Sequence, residues 1–160
     1  MYIYIMRHGE AVPDMLNDRQ RPLTSVGVSE AKSASTWLSQ QTRALKTQIS
    51  HAFVSPYTRA QQTFAQLSKG LDLAETLTLD DIRPTGDCFT MHHFIDVFCA
   101  ERENVSSLLM VSHMPFVSYL VDELCGQPLS IIFATGSIIC IDYDVSQSKG
   151  KLIERYDPRS

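Results

Sequence analysis

Two short runs, 2–7 (YIYIMR) and 107–111 (SLLMV), are apolar on both alternation faces and constrain this chain more than any other feature. A strand with one wet face alternates apolar and polar residues; one without that alternation must be covered on both sides. Between and after these runs the pattern changes to helical spacing. Pro22-Leu23-Thr24 opens a helix with Thr24 as N-cap, and Gly27, Ala31, Ala34 and Leu38 form a stripe small enough to pack close to a sheet. Residues 51–54 (HAFV) read as a second strand. Ser55-Pro56 then signals a helix, with Ser55 as N-cap, Pro56 in the first helical position, a stripe of Ala60, Phe64 and Leu67, and Gly70 as the stop.

The second half repeats the alternation. A third strand is expected at 75–79, a loop from Pro84 to Gly86, and a helix over 88–102 with Met91, Ile95 and Phe98 on one face. Ser112-His113-Met114-Pro115 repeats the strand-to-helix signal, and the helix that follows carries Leu120 and Leu124 and stops near Gly126. Residues 137–143 and 151–156 suit a closing strand pair across a polar turn, 144–150. Alternating strands and helices predict a three-layer α/β/α fold around a mostly parallel sheet. At 160 residues, without repeat or linker, the chain is expected to be a single domain over 1–160.

Composition narrows the function classes. Fourteen Lys and Arg against eighteen Asp and Glu give a net charge of −4, so no global footprint for nucleic acid or an anionic membrane is expected. No apolar stretch approaches the ~20 residues of a membrane span, and the apolar start precedes its charges, the reverse of a signal peptide. Cysteines at 88, 99, 125 and 140 form no CxxC pair and have no flanking reason for a lowered pKa. The expectation is a cytoplasmic protein with reduced thiols.

In open α/β sheets ligands sit beyond the carboxyl ends of the strands. Three such ends carry unusual residues: Arg7-His8-Gly9, Ser55-Pro56 with Arg59 one turn later, and Ser112-His113-Met114-Pro115. Arg59 sits in the first turn of its helix, where the macrodipole disfavours a cation. A bound dianion between guanidinium and helix terminus would account for it; so would exposure to solvent or pairing with a carboxylate. His8 is either a hydrogen-bonded strand-end residue or a nucleophile toward phosphorus, kept neutral by neighbouring arginines. Gly9 lets a ligand approach closely. His113 would add a second donor.

These residues resemble a known family. Met6-Arg7-His8-Gly9-Glu10 resembles the RHG signature of the histidine phosphatase superfamily, which includes cofactor-dependent phosphoglycerate mutases. Ser55-Pro56-Tyr57-Thr58-Arg59-Ala60-Gln61-Gln62-Thr63 is similar to its SPxxRAxQT motif, Val111-Ser112-His113-Met114-Pro115 to its third motif, and Arg21-Pro22-Leu23-Thr24-Ser25-Val26-Gly27 to its PLTxxG helix start. Order and spacing match over 3–120. The resemblance implies a phosphoglycerate mutase-like fold and a covalent phosphohistidine on His8. It also implies a phosphate pocket of Arg7, Arg59 and His113, a pocket or substrate-binding role for Arg21, and no metal or cofactor.

Within the family, the compact length and the RPLT helix start resemble bacterial phosphohistidine phosphatases. The interval 69–106 leaves little room for a lid, and an open groove suits a side chain presented by another protein. Many relatives take a general acid from the cap region; here Asp80 to Asp87 offers no clear match, leaving Asp18 and Asp81 as candidates. A phosphoimidazole can be protonated on its far nitrogen before cleavage, whereas an alkyl phosphate loses ~10²–10⁴-fold without a general acid. The expected substrate is therefore phosphohistidine in a signalling protein, such as a phosphotransfer domain or a phosphotransferase-system protein, turned over by a monomer. A small-molecule phosphomonoesterase and a non-catalytic phosphoprotein-binding module are the alternatives. His51, His92, His93 and Trp37 are assigned structural, packing or surface roles, and Glu10 is expected to pair with a pocket arginine.

Overall fold

The computed structural model describes residues 1–13 and 16–158. Six strands form one sheet: β1 (Tyr2–Arg7), β2 (His51–Val54), β3 (Glu75–Thr78), β4 (Ser107–Ser112), β5 (Ile138–Asp144) and β6 (Lys149–Tyr156). Four helices connect them: α1 (Ser25–Ala44), α2 (Thr58–Ser68), α3 (Cys88–Ala100) and α4 (Phe116–Cys125). The strand order is β3-β2-β4-β1-β5-β6. The first four strands in that order run parallel, and β5 and β6 close one edge antiparallel. The fold is the α/β sandwich with a mostly parallel central sheet that the alternation predicts.

The doubly apolar strands divide their side chains between two cores. Ile3 and Ile5 of β1 join Leu108 and Met110 of β4 beneath α3 and α4, while Tyr4 and Met6 join Leu109 and Val111 beneath α1 and α2. Both strands have every interior position buried. This explains why neither run shows a period of two: each residue meets a helix layer, whichever way it points. Among the described residues no helix is long and apolar enough to cross a membrane.

The start of α1 is set by Thr24, whose hydroxyl accepts from Gly27 N at 3.1 Å, a cap worth ~1 kcal/mol. Its buried face is Gly27, Ala31, Ala34 and Leu38, the predicted stripe. Gly27 is required by contact: a Cβ there would lie 2.1 Å from the carbonyl oxygen of Glu10, and one on Gly9 would lie 2.5 Å from that of Gly27. The loop leaving β1 and the first turn of α1 therefore touch backbone to backbone, which fixes the direction in which the chain departs from His8.

Helix α2 departs from expectation. It begins at Thr58, with Tyr57 in the cap position and no side-chain cap, so Ser55 is not its N-cap and Pro56 is not its first helical residue. The Ser55 hydroxyl is used elsewhere, as described below. Helix α2 also ends at Ser68, two residues before Gly70, and α3 ends at Ala100 rather than 102. The stop of α4 is as predicted: Gly126 is left-handed, with φ 66°. Between Ser68 and Ser107 the chain forms only β3, a 3-10 turn at Asp80–Ile82 and α3. Trp37 packs, its ring stacked on Tyr156 at 5.2 Å, and His92 bonds Glu123 and Tyr143.

Candidate active site

Strands β1 and β4 are neighbours in register, Arg7 opposite Ser112, and β2 flanks β4. The three strand ends are thus adjacent, and the residues beyond them converge. His8 is pinned by its backbone, its N–H donating to Ser112 O at 3.0 Å. Gly9 N–H donates to the Thr63 hydroxyl at 3.0 Å, and that hydroxyl donates to Arg59 O at 2.7 Å. The RHG segment is therefore tied to the helix that carries Arg59.

The His8 ring has a defined proton. Its Nδ1 lies 2.7 Å from Gly9 O, and a carbonyl oxygen only accepts, so Nδ1 carries the hydrogen. Nε2 is left with its lone pair, which accepts from Arg59 Nε at 3.2 Å. Burial, then the charges of Arg59, Arg7 and Arg21, push the His8 pKa down to about 3, against the opposing Gly9 hydrogen bond. The imidazole is neutral at physiological pH, and its Nε2 carries an unprotonated lone pair facing the Arg59 guanidinium. That state is the one a nucleophile needs.

His113 lies beside it, the ring centroids 5.1 Å apart. Its Nε2 is 2.7 Å from the Ser55 hydroxyl. Its Nδ1 is buried with no hydrogen-bond partner among the described residues. Burial, reinforced by His8 and the three arginines, lowers its pKa to about 2. The Tyr57 ring packs edge-on against His113 at 4.8 Å, with the Arg59 guanidinium over the same ring at 5.0 Å.

Arg59 is only 3 % exposed. Its Nη1 donates to Asp18 O at 2.7 Å and its Nη2 to the Asp18 carboxylate at 3.3 Å. Arg21 donates through Nε to the other Asp18 oxygen at 2.9 Å and through Nη1 to Val12 O at 3.1 Å. Arg7 donates from Nη1 to Phe133 O at 2.8 Å, while its Nε is buried and unpartnered among the described residues. Buried polar groups are almost always bonded, and two orphans in one cluster, Arg7 Nε and His113 Nδ1, mark a place built for something else.

The structure thus brings together all five residues singled out from sequence: Arg7, His8, Arg21, Arg59 and His113. Of the two acid candidates it brings only Asp18. Asp81 is exposed on the Asp80–Ile82 turn and makes none of the site's hydrogen bonds among the described residues. Glu10 does not pair with a pocket arginine: its carboxylate accepts from the Thr24 hydroxyl at 2.8 Å, reinforcing the start of α1. Tyr57 and Thr63, which sequence reasoning assigned no role, and Ser55 complete the site's framework. For Ser55 the helix-start pattern gave a competing and mistaken use.

Comparison with known proteins places this geometry in context. The family model described as histidine phosphatase superfamily (branch 1) matches residues 3–84. The chain is 35% identical over 147 residues to phosphohistidine phosphatase SixA of Escherichia coli (strain K12), covering 91% of this chain and 88% of that protein. It is 35% identical over 153 residues to the SixA homolog of Haemophilus influenzae, covering 93% and 92%. The structure of SixA complexed with tungstate superposes with a TM-score of 0.88 at 34% identity, covering 98% of this chain and 97% of that one. The alpha-ribazole phosphatase of Shigella flexneri shares the fold alone, at 17% identity and a TM-score of 0.70 over 96% and 95% of the two chains. On the matched motifs, the identity across nine tenths of its length and the shared architecture, the chain belongs to the histidine phosphatase superfamily.

Proposed function

We propose that the chain is a phosphohistidine phosphatase that removes a phosphoryl group from a histidine of another protein through a covalent intermediate on His8. The observation that carries this is the His8 ring itself. Nδ1 is held protonated by Gly9 O, and Nε2 is a lone pair against Arg59, with the His113 ring alongside and the charge of Arg7 acting on it. Its relatives named SixA are phosphohistidine phosphatases, and one was solved with tungstate, a tetrahedral oxyanion like phosphate.

Nε2 attacks phosphorus and the bond from phosphorus to the substrate imidazole breaks. The electron pair of that bond stays on the departing nitrogen. If the substrate ring enters protonated on its far nitrogen, it leaves as neutral imidazole, so no acid in the site is needed. The three arginines and His113 offset charge on the transferring oxygens. In the second half, water attacks phosphorus and His8 leaves by the same logic. The Nδ1 proton kept by Gly9 O makes Nε2 a neutral leaving group, and the water's proton goes to phosphate or solvent.

The acid inventory favours this substrate class over alkyl phosphates. Burial alone would raise the Asp18 carboxyl, but its hydrogen bonds and ion pairs with Arg21 and Arg59 outweigh that and hold it below the usual carboxylate range. Asp18 is therefore ionised at neutral pH and poorly suited to protonate an alkoxide. With only β3, a short turn and α3 between Ser68 and Ser107, a docked protein domain can reach the site. We assign the substrate to phosphotransfer domains or phosphotransferase-system proteins, and the enzyme to the cytoplasm as a monomer; its four cysteines are free.

The test compares wild type with His8→Ala on a phosphohistidine-bearing phosphotransfer domain, with a panel of phosphomonoesters in parallel. Dephosphorylation of the domain, weak ester turnover and an inactive His8→Ala variant are expected. Fast ester turnover with an untouched domain would assign a small-molecule phosphatase. Tight binding of the phosphodomain with no turnover of anything would assign a binding module.

A further inference from the structure

Asp18 takes up donors of Arg59 and Arg21, the two arginines beside His8 whose charges act on its ring. Its carboxylate spans two guanidiniums, Oδ1 to Arg21 Nε at 2.9 Å and Oδ2 to Arg59 Nη2 at 3.3 Å, and its backbone oxygen takes Arg59 Nη1 at 2.7 Å. With Arg59 Nε turned to His8 Nε2, every nitrogen of that guanidinium is engaged by Asp18 or by His8. A phosphoryl group arriving at His8 Nε2 needs the Arg59 donors, and a second anion on the same guanidinium opposes it. The Asp18 side chain is 61% exposed on the 3-10 turn at Asp18–Gln20, so it has solvent to move into. Arg59 is buried and does not.

We infer that Asp18 is a specificity-determining residue: a carboxylate built into the pocket that competes with the phosphoryl group for Arg59 and Arg21. This rests on the pocket being a phosphoryl site, and it adds a rule about which phosphates succeed there. A free oxyanion or a small ester brings only its own charge and must displace Asp18 with that alone. A phosphoprotein brings contacts outside the pocket, and binding energy from remote contacts can drive rearrangement at the reacting centre. Asp18 thus raises the threshold for small anions more than for a protein substrate, and it limits inhibition by the product phosphate. Such a role differs from that of a general acid, which would act on the leaving group and leave oxyanion affinity untouched.

The experiment is calorimetric titration of tungstate and of inorganic phosphate into wild type, Asp18→Asn and Asp18→Ser. Kinetics on p-nitrophenyl phosphate and on a phosphohistidine-bearing domain run alongside, with thermal unfolding as a check on folding. Both variants are expected to bind the oxyanions about tenfold more tightly, the factor that two partly exposed ion pairs supply. KM for the small ester should fall by a similar factor, and KM for the phosphodomain should change less. A merely structural role predicts the opposite sign, looser binding as Arg59 and Arg21 lose their brace, and that result would overturn the inference. So would unchanged oxyanion affinity with collapsed ester turnover, which marks a general acid. Tungstate binding needs no turnover, so a wild type that binds it while the variants bind no better sinks this inference alone. A wild type that binds no oxyanion at all sinks the phosphoryl-site reading with it.

Discussion

The Nε–H of Arg59 points at Nε2 of His8 across 3.2 Å, so the site's buried cation and its candidate nucleophile are hydrogen-bonded to each other before any substrate arrives. This contact keeps a proton off Nε2 and places the guanidinium where the phosphoryl oxygens will be. An ammonium cannot reproduce it, because lysine offers a point charge instead of a planar fork. Arg59→Lys is expected to lower kcat/KM on a phosphohistidine domain about 10²–10³-fold, the scale of a lost transition-state donor. Stopped-flow or endpoint dephosphorylation, with circular dichroism to confirm folding, decides it; a loss under threefold would show that charge alone suffices.

Much of this was legible in the sequence for identifiable reasons. The layer order followed from β1 and β4, whose apolar runs could only be covered on both faces, and from the Gly27, Ala31, Ala34 and Leu38 stripe, which α1 buries as predicted. The convergence of Arg7, His8, Arg59 and His113 followed because each sits at a strand end or in the turn or helix start after it, and a parallel sheet collects those ends. What stayed hidden depends on contacts between segments distant in sequence. Ser55 reads locally as a helix cap, yet its hydroxyl serves His113, 58 residues on. Glu10 reads as a partner for an arginine, yet Thr24 claims it. Asp18 and Asp81 are indistinguishable as loop acids; only the fold brings one of them to Arg59.

The two histidines of the site make stability fall in acid. The His8 pKa falls to about 3 and the His113 pKa to about 2, both chiefly through burial, whereas in the unfolded chain each titrates near its ordinary value of 6.5. Between pH 6.5 and about 3 the unfolded state therefore binds protons that the folded state refuses. The histidines' contribution to stability is full above pH 6.5 and is lost as pH drops through that window, with a limiting slope of about 1.4 kcal/mol per pH unit for each histidine. Between pH 7 and pH 5, urea unfolding should show His113→Gln losing about 2 kcal/mol less stability than wild type. Carboxylates contribute equally to both chains and cancel; identical slopes would refute buried neutral His113.

Activity should follow a different pH limit from a free imidazole. Since His8 is neutral down to about pH 3, the acid limb of kcat/KM is not set by His8 at 6.5. Between pH 5.5 and 7.5, kcat/KM on a phosphomonoester, corrected for the ester's own second ionisation at about pH 6, is expected to be flat within about twofold. An acid limb with a midpoint near 6.5 that vanishes in no other histidine variant would contradict the depressed His8 pKa.

Gly9 and Gly27 depend on each other. A Cβ on Gly9 would lie 2.5 Å from Gly27 O, and one on Gly27 would lie 2.1 Å from Glu10 O, both backbone atoms that cannot swing aside. Overpacking of this kind costs about 1–3 kcal/mol. Gly27→Ala should lower the thermal midpoint and also reduce activity, because separating the two segments moves the residue that follows His8. A variant with wild-type stability and wild-type kinetics would show that the crossing is loose.

Ser55 is expected to decide which nitrogen of His113 carries the proton. The neutral ring has one N–H, its Nε2 lies 2.7 Å from the Ser55 hydroxyl, and that hydroxyl also accepts from Tyr57 N at 3.3 Å. When Ser55 donates its hydrogen to Nε2, the imidazole proton is placed on Nδ1, the buried atom without a partner among the described residues, in a ring 5.1 Å from that of His8. That arrangement supplies an N–H for a phosphoryl oxygen, whereas the opposite tautomer would leave a bare lone pair there. Ser55→Ala removes the hydroxyl and with it the preference. A fall in kcat of about tenfold is expected, the worth of one hydrogen bond to a charged group, with KM nearly unchanged. Nitrogen NMR of the ring should show the Nδ1–H form dominant in the phosphate-bound wild type and depleted in Ser55→Ala. If the tautomer signal and kcat both stay at wild-type values, His113 does not depend on Ser55 for its proton.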